Sequence, residues 1–398
     1  MKKVVSIIIG MSMLLSLTSC SSKNDEYKIK SKELNVISAL SNSYENGLIY
    51  TSGGICNFYD YASDTSIPLC LKPNCTHNDK ECISKILSTS GCGTEHAVIY
   101  EDNIYFFTET ESIEGEGKDT SYNIQSVLHK CNLKSGEITD VLDISDLNCI
   151  SSVNMVLNND TIYFTASNGA YQFEDGTWLN AGFGKQYLCS VNLTDKNFEN
   201  YGLVNDNEFA SNNVIITENS INAVSDQVII SGVYNDKIYL YYSYVEDRNI
   251  IVDAIENNNY NIDWKYEVKE FDLNAKKLNT VHEAQPICLN NNWYVTENKS
   301  DKKVIATDRS GNPVEFDSMN ELQFDCYQYS IYNDKVWDLY NGYVYDLSTK
   351  ETFQISEDFL GGNIADYISN ENKYVICNYD SNGNLLYSMI DGNILINK

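Results

Sequence analysis

Short runs of alternating apolar and polar residues, each ended by Asn, Asp or Gly, follow one another along most of the chain. Alternation with a period of two predicts β-strands with one buried face, and the Asn, Asp and Gly residues predict tight turns between them. Thirty tyrosines and only four prolines agree with this interpretation, since aromatic residues favour strands and proline interrupts their hydrogen-bond ladders. The pattern therefore predicts an all-β protein.

Two motifs recur in this pattern. In the turn-aromatic motif an Asn, Asp or Gly turn precedes an aromatic residue at the start of a strand, as in Asn46–Tyr50, Asp102–Tyr105, Asn159–Tyr163, Asn235–Tyr239, Asn291–Tyr294, Asn333–Trp337 and Glu371–Tyr374. In the strand-end motif an acidic or amide residue ends the next strand, as in Asp60-Tyr61, Asn132-Leu133, Asn192-Leu193, Asp272-Leu273, Asp308-Arg309, Asp346-Leu347 and Asp391-Gly392. Turn residues that tolerate positive φ, followed by alternating apolar and aromatic positions, are typical of tight β-hairpins.

The motifs alternate in order, and the aromatic position recurs from Tyr50 to Tyr374 with a mean period of about 54 residues. That period suits four short strands with their loops, which is the size of one propeller blade. A β-sandwich gives no reason for two motifs to recur together, and a solenoid would keep a stricter period. We therefore predict a β-propeller of seven four-stranded blades, with six or eight as alternatives. The repeated Tyr and Trp residues are then core between blades.

Strands such as Asn159–Phe164 resemble the repeats of bacterial propellers of the YWTD-type and TolB-like groups. The segment Pro68–His77, with Cys82 beyond it, is similar to a loop of uncharacterised clostridial propeller lipoproteins. The first resemblance covers most of the chain and implies the propeller fold. The second covers about one loop and implies no activity.

The first residues have the pattern of an export signal. Lys2 and Lys3 precede the apolar run Val4–Leu17, and Leu17-Thr18-Ser19-Cys20 resembles the bacterial lipobox. The resemblance implies a signal peptide at residues 1–19, a lipidated Cys20 with a tether at 20–33, and a propeller domain at 34–398. Acyl chains such as palmitate would then hold the protein on the outer side of the bacterial cell membrane. An ordinary secretory signal is the alternative.

The formal net charge of −28 excludes nucleic acid as a partner, because so acidic a chain repels a phosphate backbone. The acidic residues are scattered along the chain, which is typical of a solvated surface.

Residues beyond the repeat are concentrated in the first four blades. Long connections are expected at Thr108–Ser126, Ala166–Lys185 and Tyr244–Trp264 within blades, and at Cys70–Cys92 and Val204–Asp226 between blades. In a propeller all five leave the same face, and long loops on a rigid scaffold often carry function. We therefore expect this face to bind a carbohydrate, a peptide or an envelope protein through its aromatic residues, namely Tyr122, Tyr171, Phe173, Trp178, Phe183, Tyr260 and Trp264.

Eleven of the twelve cysteines fall into three groups. Cys20 is the lipidation site, and six lie inside predicted strands as small buried residues: Cys56, Cys131, Cys189, Cys288, Cys326 and Cys377. A third group, with His77, crowds one connection: Cys70, Cys75, Cys82 and Cys92. Outside the cytoplasm disulfides are one interpretation of this group, and structural zinc held by three cysteines and His77 is the other.

Common enzyme signatures do not occur in the sequence, including the G-x-S-x-G elbow, the P-loop and H-E-x-x-H. His96, His129 and His282 are far apart along the chain. These observations favour a non-enzymatic binding or sensing module. The alternative is a glycan-active hydrolase or lyase that uses carboxylates near the propeller axis, for example Glu109 and Glu111 or Asp226 and Asp236, whose separation would decide the mechanism.

Overall fold

The computed structural model describes residues 42–395. The description omits residues 45, 71, 78–81, 90–96, 116–120, 148, 168–169, 173–177, 181–184, 206–213, 218–219, 224–226, 246–256, 258–263, 284–285, 291, 299–300, 318–328, 340, 357–358 and 360–362. Within the described ranges nearly all regular structure is β-strand, as predicted.

The strands form seven antiparallel sheets in chain order. Blade 1 contains β1 (Asn42–Tyr44), β2 (Gly47–Ser52), β3 (Ile55–Asp60) and β4 (Thr65–Pro68). Blade 2 contains β5 (Ala97–Tyr100), β6 (Asn103–Glu114), β7 (Ser121–Asn132) and β8 (Ile138–Asp143). Blade 3 contains β9 (Ile150–Asn158), β10 (Thr161–Ser167), β13 (Gln186–Asn192) and β14 (Phe198–Asn205).

Blades 4 to 7 repeat this arrangement. Blade 4 contains β17 (Gln227–Tyr234), β18 (Lys237–Tyr244), β19 (Lys265–Asp272) and β20 (Lys277–His282). Blade 5 contains β21 (Pro286–Leu289), β22 (Trp293–Asn298), β23 (Lys303–Asp308) and β24 (Pro313–Asp317). Blade 6 contains β25 (Tyr329–Tyr332), β26 (Lys335–Asp338), β27 (Tyr343–Asp346) and β28 (Glu351–Gln354). Blade 7 contains β29 (Asn363–Ile368), β30 (Lys373–Tyr379) and β31 (Leu385–Asp391).

The remaining elements lie outside the blades. Two short hairpins pair β11 (Ala170–Gln172) with β12 (Trp178–Asn180) and β15 (Val214–Thr217) with β16 (Ser220–Ala223). The helices described are α1 (Ile83–Thr89), the 3-10 turn Ser145–Leu147 and α2 (Gly392–Leu395). The sequence interpretation contained none of these helices.

The blades close into a ring, which confirms the predicted seven-bladed propeller. First strands of neighbouring blades contact one another, for example β5 with β9 and β25 with β29, so they line the centre. Seven buried apolar clusters lie one at each junction between neighbouring blades, including the junction of blade 7 with blade 1. Each blade therefore buries its two faces against two neighbours.

The first-to-second turns use residues with positive φ. Asn235 and Asp236 have φ of 49° and 58°, and Asn333 and Asp334 have φ of 53° and 50°. Two consecutive residues with positive φ are the requirement of a type I′ hairpin, whose twist matches the flanking strands. This chemistry explains why Asn and Asp recur in the turn-aromatic motif.

The strand-end motif is explained by hydrogen bonds. Asp272 Oδ1 accepts the backbone N–H of Asn274 at 2.9 Å and of Ala275 at 2.8 Å, which fixes the third-to-fourth turn. The following residue, Leu273, donates its N–H to the Asp236 carbonyl in the first-to-second turn at 2.9 Å. The equivalent donors in other blades are Tyr61, Leu133, Leu193, Leu347 and Gly392. The two motifs therefore meet at one end of the blade.

Because successive strands of a blade are antiparallel, its second-to-third connection and the link to the next blade leave at the opposite end. We call that end the insertion face. It carries five segments that exceed the basic repeat: 69–96, 109–126, 166–185, 204–226 and 245–264. One differs from expectation, because Thr108–Ser126 is largely a paired ribbon and not a loop, with β6 and β7 in register as far as Glu114 and Ser121.

Candidate metal centre

Three thiols and one imidazole converge in the crossover from blade 1 to blade 2. The ligand atoms of Cys70, Cys75, His77 and Cys82 all lie within 4.8 Å of one another. Cys70 and Cys82 are buried, whereas Cys75 and His77 are half-buried at the surface. Among the described residues, no other set of three or more Cys, His, Asp or Glu side chains converges in this way.

The local sequence explains how the backbone brings these residues together. Cys75 N–H donates to the Lys72 carbonyl at 3.2 Å, which closes a four-residue turn. Its two central residues are Pro73 and Asn74, and Asn74 has φ of 61°. Proline at the first central position and a residue with positive φ at the second are typical of a type II turn. The turn returns Cys75 toward Cys70.

The other half of the site is set by α1. The Cys82 carbonyl accepts the backbone N–H groups of Lys85 and Ile86 at 2.8 and 2.9 Å, so Cys82 lies at the first turn of the helix. His77 has φ of 56°, which turns the chain before it reaches the helix. His77 Nδ1 and Cys82 Sγ are 3.6 Å apart.

The buried side of the centre belongs to the apolar cluster between blades 1 and 2. Cys70 and Cys82 pack in that cluster with Phe58, Ile83 and Phe106, and Cys75 packs against its edge. The centre therefore joins the crossover to both blades.

The thiols differ in how readily they ionise. A hydrogen bond from the backbone N–H of His77 is the main cause that lowers the pKa of Cys75, and the neighbouring thiols of Cys82 and Cys70 lower it further. Burial raises the pKa of Cys70 to about 12. Because thiolates and not thiols bind metals, a metal ion at this centre would displace protons from the cysteines.

The ligand set fits a soft, tetrahedral metal ion. With metal–sulfur bonds of about 2.3 Å, sulfur atoms in a tetrahedron are about 3.8 Å apart. The observed limit of 4.8 Å exceeds that spacing by about 1 Å. Three thiolates and one imidazole fill all four positions of zinc, so the arrangement leaves no place for a reacting water molecule and would be structural.

The disulfide interpretation stays a prediction. All nine described cysteines are free thiols, the three of the centre included. Cys92 and Cys326 lie outside the described residues, as does the lipidation candidate Cys20. The strand cysteines Cys56, Cys131, Cys189, Cys288 and Cys377 are buried within β-strands, as expected. Cys149, which the sequence interpretation did not assign, is also buried.

The predicted binding residues all belong to insertion-face segments by sequence. Tyr122 lies in β7, Tyr171 in β11 and Trp178 in β12, where Gln172 is the strand partner of Trp178. Trp264 is half-buried just before β19. Phe173, Phe183 and Tyr260 lie outside the described residues. Their role in binding stays a prediction.

Buried acidic side chains in the described part of the chain serve the fold. Asp60, Asp338 and Asp346 accept backbone N–H groups of their own turns, from Ser63, Asn341 and Thr349 respectively. Asp366 accepts the Tyr61 hydroxyl at 2.5 Å across the junction of blades 7 and 1. Asp226, one of the acids considered for catalysis, lies outside the described residues.

His129 and His282 lie in strands, and His96 lies outside the described residues. His129 bridges the Thr108 hydroxyl and the Asp140 carboxylate of its own blade, at 2.6 and 2.9 Å. His282 stacks on Tyr294 with ring centroids 5.5 Å apart. Both imidazoles therefore have structural contacts.

No family model matches the sequence, and no curated protein matches it. Solved structures do match. An uncharacterized protein from Listeria monocytogenes is 11% identical, with a TM-score of 0.31 over 76% of this chain and 65% of that one. A quinonprotein alcohol dehydrogenase-like protein from Bacteroides thetaiotaomicron is 9% identical, with a TM-score of 0.36 over 88% and 74%.

TolB from Acinetobacter baumannii is 9% identical, with a TM-score of 0.26 over 90% of this chain and 66% of that one. The chain spans about two thirds of the Listeria and TolB chains. Identities this low concern the fold alone, which the strand order above establishes independently.

Proposed function

We propose that this chain is a bacterial lipoprotein, anchored through Cys20 outside the cytoplasm, whose propeller binds a carbohydrate, a peptide or an envelope protein through the insertion face. The observation that carries the proposal is topological. The metal centre, the β6–β7 ribbon and both extra hairpins arise from connections at the same end of the strands. Additions to a rigid scaffold that share one face can contact one ligand together.

The anchor is proposed from the lipobox at Leu17–Cys20. In the described part of the chain no helix has the length and apolar character needed to cross a membrane. Substitution Cys20→Ala tests the anchor: the wild-type chain should incorporate labelled palmitate and sediment with membranes, whereas the variant should do neither. A variant that stays in the membrane fraction with its signal peptide removed would contradict lipid anchoring.

We propose further that the metal centre holds structural zinc, which stiffens the insertion face. Native mass spectrometry of the purified chain should find one zinc ion per molecule, and the Cys75→Ala variant should lack it. Cys288→Ala is the matched control, because Cys288 is a buried strand thiol far from the centre in sequence. A mass deficit of two hydrogens per cysteine pair, with no metal, would instead support the disulfide interpretation.

A non-enzymatic role is supported by the closed ligand set and by the structural use of the buried acids described above. The binding proposal is tested with an array of bacterial cell-wall glycans and peptides. Tyr171→Ala/Trp178→Ala should weaken binding about tenfold or more, and Ile138→Ala, at the exposed start of β8 on the opposite end of blade 2, should leave it unchanged. Equal binding by the wild type and by both variants would exclude the insertion face as the binding surface. Cleavage of an arrayed glycan would support the hydrolase or lyase alternative.

A further inference from the structure

One thiol of the metal centre differs from the other two in its accessibility. Among the nine described cysteines, Cys75 alone reaches the surface, and the other eight are buried. Its two sulfur neighbours, Cys70 and Cys82, are only 8% and 4% exposed. An accessible thiol with further thiols beside it is the arrangement of a redox-sensing cysteine and its resolving partner. The centre is therefore built for oxidation as well as for metal binding.

The surroundings of Cys75 favour the reactive form of its sulfur. Cys75 Sγ accepts the backbone N–H of His77, and the ammonium group of Lys72 attracts a negative charge at this position. A hydrogen-bond donor and a nearby cation both stabilise a thiolate, which is the form of cysteine that attacks oxidants. Reactivity toward an oxidant therefore coincides with accessibility in this one residue.

We propose that the centre is a redox switch, in which a peroxide oxidises Cys75, Cys75 forms a disulfide with Cys70 or Cys82, and the zinc ion is released. The inference rests on the proposed zinc site and adds its regulation. Outside the cytoplasm, where the proposed anchor would place the chain, cytoplasmic reductants do not keep thiols reduced. Zinc and disulfide, the two interpretations of the sequence, then become two states of one site.

The oxidation proceeds in two steps. The Cys75 thiolate attacks hydrogen peroxide, so that a sulfur–oxygen bond forms, the oxygen–oxygen bond breaks and hydroxide leaves. A neighbouring thiolate then attacks this sulfenic sulfur, forms the sulfur–sulfur bond and expels a second hydroxide. Two protons from solvent convert both hydroxides to water. The two cysteine sulfurs together lose two electrons, which peroxide gains.

The distances in the centre permit this reaction without refolding of the crossover. The ligand atoms lie within 4.8 Å of one another, and a disulfide needs its sulfur atoms about 2 Å apart. Rotation of a cysteine side chain between staggered positions moves its sulfur by about that difference. The disulfide removes two of the four ligands, and one thiolate with His77 does not complete the tetrahedron of structural zinc. Zinc release is therefore the direct consequence of oxidation.

Titration of the reduced, zinc-loaded chain with hydrogen peroxide tests the proposal. Zinc release, followed with a chromogenic chelator against a peroxide-free control, should reach one ion per molecule of peroxide consumed. Denaturing mass spectrometry should show the loss of two hydrogens, and peptide mapping should find Cys75 in the new disulfide. Dithiothreitol with added zinc should restore the loaded form.

The variant Cys75→His isolates the accessible thiol, because imidazole keeps a fourth zinc ligand and removes the sulfur that peroxide reaches first. This variant should bind zinc and release it in peroxide roughly tenfold more slowly than the wild type, since buried thiols are inert. The matched control Cys288→Ala, which removes a buried strand thiol, should release zinc like the wild type.

Two results with the wild-type chain would overturn the inference. Zinc that stays bound in excess peroxide would show that the centre is not oxidised. A disulfide between Cys70 and Cys82 that leaves Cys75 free would show that accessibility does not select the reacting thiol. Neither result depends on the folding of a variant. A reduced chain that binds no zinc would instead contradict the zinc site of the proposed function, so the two failures are distinguishable.

Discussion

The junctions on the two sides of blade 1 hold their neighbours by different chemistry. Toward blade 7, aromatic side chains pack together: Tyr50 and Tyr59 contact Tyr387, and the Tyr61 hydroxyl donates to Asp366 at 2.5 Å. Toward blade 2, four of the fourteen buried residues in the cluster are cysteines, and the cluster extends to the half-buried Cys75. The first junction is complete with the chain's own aromatic rings and hydrogen-bonding groups, whereas the second ends in ligands that a metal ion or oxidation would complete.

This difference predicts which junction depends on metal concentration and redox state for its stability. Aromatic packing responds to neither metal nor redox state. A cluster of thiols and imidazole responds to both, because metal binding adds its free energy to folding. The contributions of the two junctions to the unfolding free energy should therefore be distinguishable by experiment. The largest loss of unfolding free energy is expected where the aromatic packing is removed.

Substitution Tyr50→Ala should break the junction of blades 7 and 1. The Tyr50 side chain is buried and its ring contacts Tyr387. Removing a buried aromatic ring typically costs about 3–5 kcal/mol of unfolding free energy. Urea unfolding should show this loss equally with and without a chelator, and Tyr50→Phe should retain most of the stability because it keeps the ring. A loss that disappears in chelator would contradict the separation of the junctions.

Metal removal should affect the junction of blades 1 and 2. An ion that binds only the folded chain stabilises it by about 3 kcal/mol when its free concentration is about a hundred times its Kd. Urea unfolding of the zinc-loaded protein should lose this amount on chelation. Cys75→Ala should not respond to the chelator, whereas Cys288→Ala should respond like the wild type. Equal responses in all three proteins would place the ion elsewhere.

Substitution Tyr61→Phe should remove one polar contact between blades 7 and 1 while keeping the ring. The hydrogen bond to a buried carboxylate is charge-assisted, and its loss should cost about 2 kcal/mol. Asp366 would still accept the backbone N–H of Tyr367 at 2.7 Å, which limits the damage. An unchanged unfolding free energy would mean that solvent replaces the hydroxyl, so that the packed rings alone join these blades.

The two junctions should also respond oppositely to pH. Burial is the main cause that raises the pKa of Tyr50 and, with help from Asp366, that of Tyr61. A folded-state pKa above the unfolded value of about 10 gives stability that is complete below pH 10 and is lost as pH rises further, by up to about 1.4 kcal/mol per pH unit for each tyrosine.

Metal binding should instead strengthen as pH rises, since the thiols must lose protons. The Cys75→Ala variant removes the effect of the metal and keeps those of the buried thiols and tyrosines. Burial raises the pKa of thiols such as Cys189 and Cys288 as well. The unfolding free energy of this variant, measured from pH 6 to 11 in urea, should therefore be flat to about pH 8.5, fall above it and fall more steeply above about pH 10. A fall that begins at neutral pH would mean that other groups dominate the titration.

The repeat was predictable because its chemistry is local. Asp272 and Asp236 lie in one blade. The hydrogen bonds that fix the turns of this blade connect residues of its two sequence motifs. The four ligands of the metal centre were identifiable for a similar reason, since Cys70 and Cys82 belong to one short segment.

Long-range and exceptional contacts were not predictable. Tyr61 and Asp366 lie at opposite ends of the chain, and no local pattern pairs them. Blade 5 departs from the repeat, because Arg309 stands where most blades have leucine. Its guanidinium lies 4.0 Å from the ring centroid of Tyr294 and 4.5 Å from that of Tyr239. The sequence motif marks this position without revealing the stacking.

Substitution Asp272→Ala should have the smallest effect on the unfolding free energy. Because Asp272 lies in blade 4, away from both junctions, this variant also serves as a reference. Asp272 is half-buried, and its carboxylate holds the third-to-fourth turn of blade 4 through two backbone N–H groups. Its loss should cost about 1 kcal/mol, since water can replace the lost acceptor at the surface. The loss should be the same in chelator and additive with that of Tyr50→Ala, because distant sites without shared partners act independently. Double-mutant unfolding measures this, and a coupling above about 1 kcal/mol would mean that the turns and the ring closure form one cooperative unit.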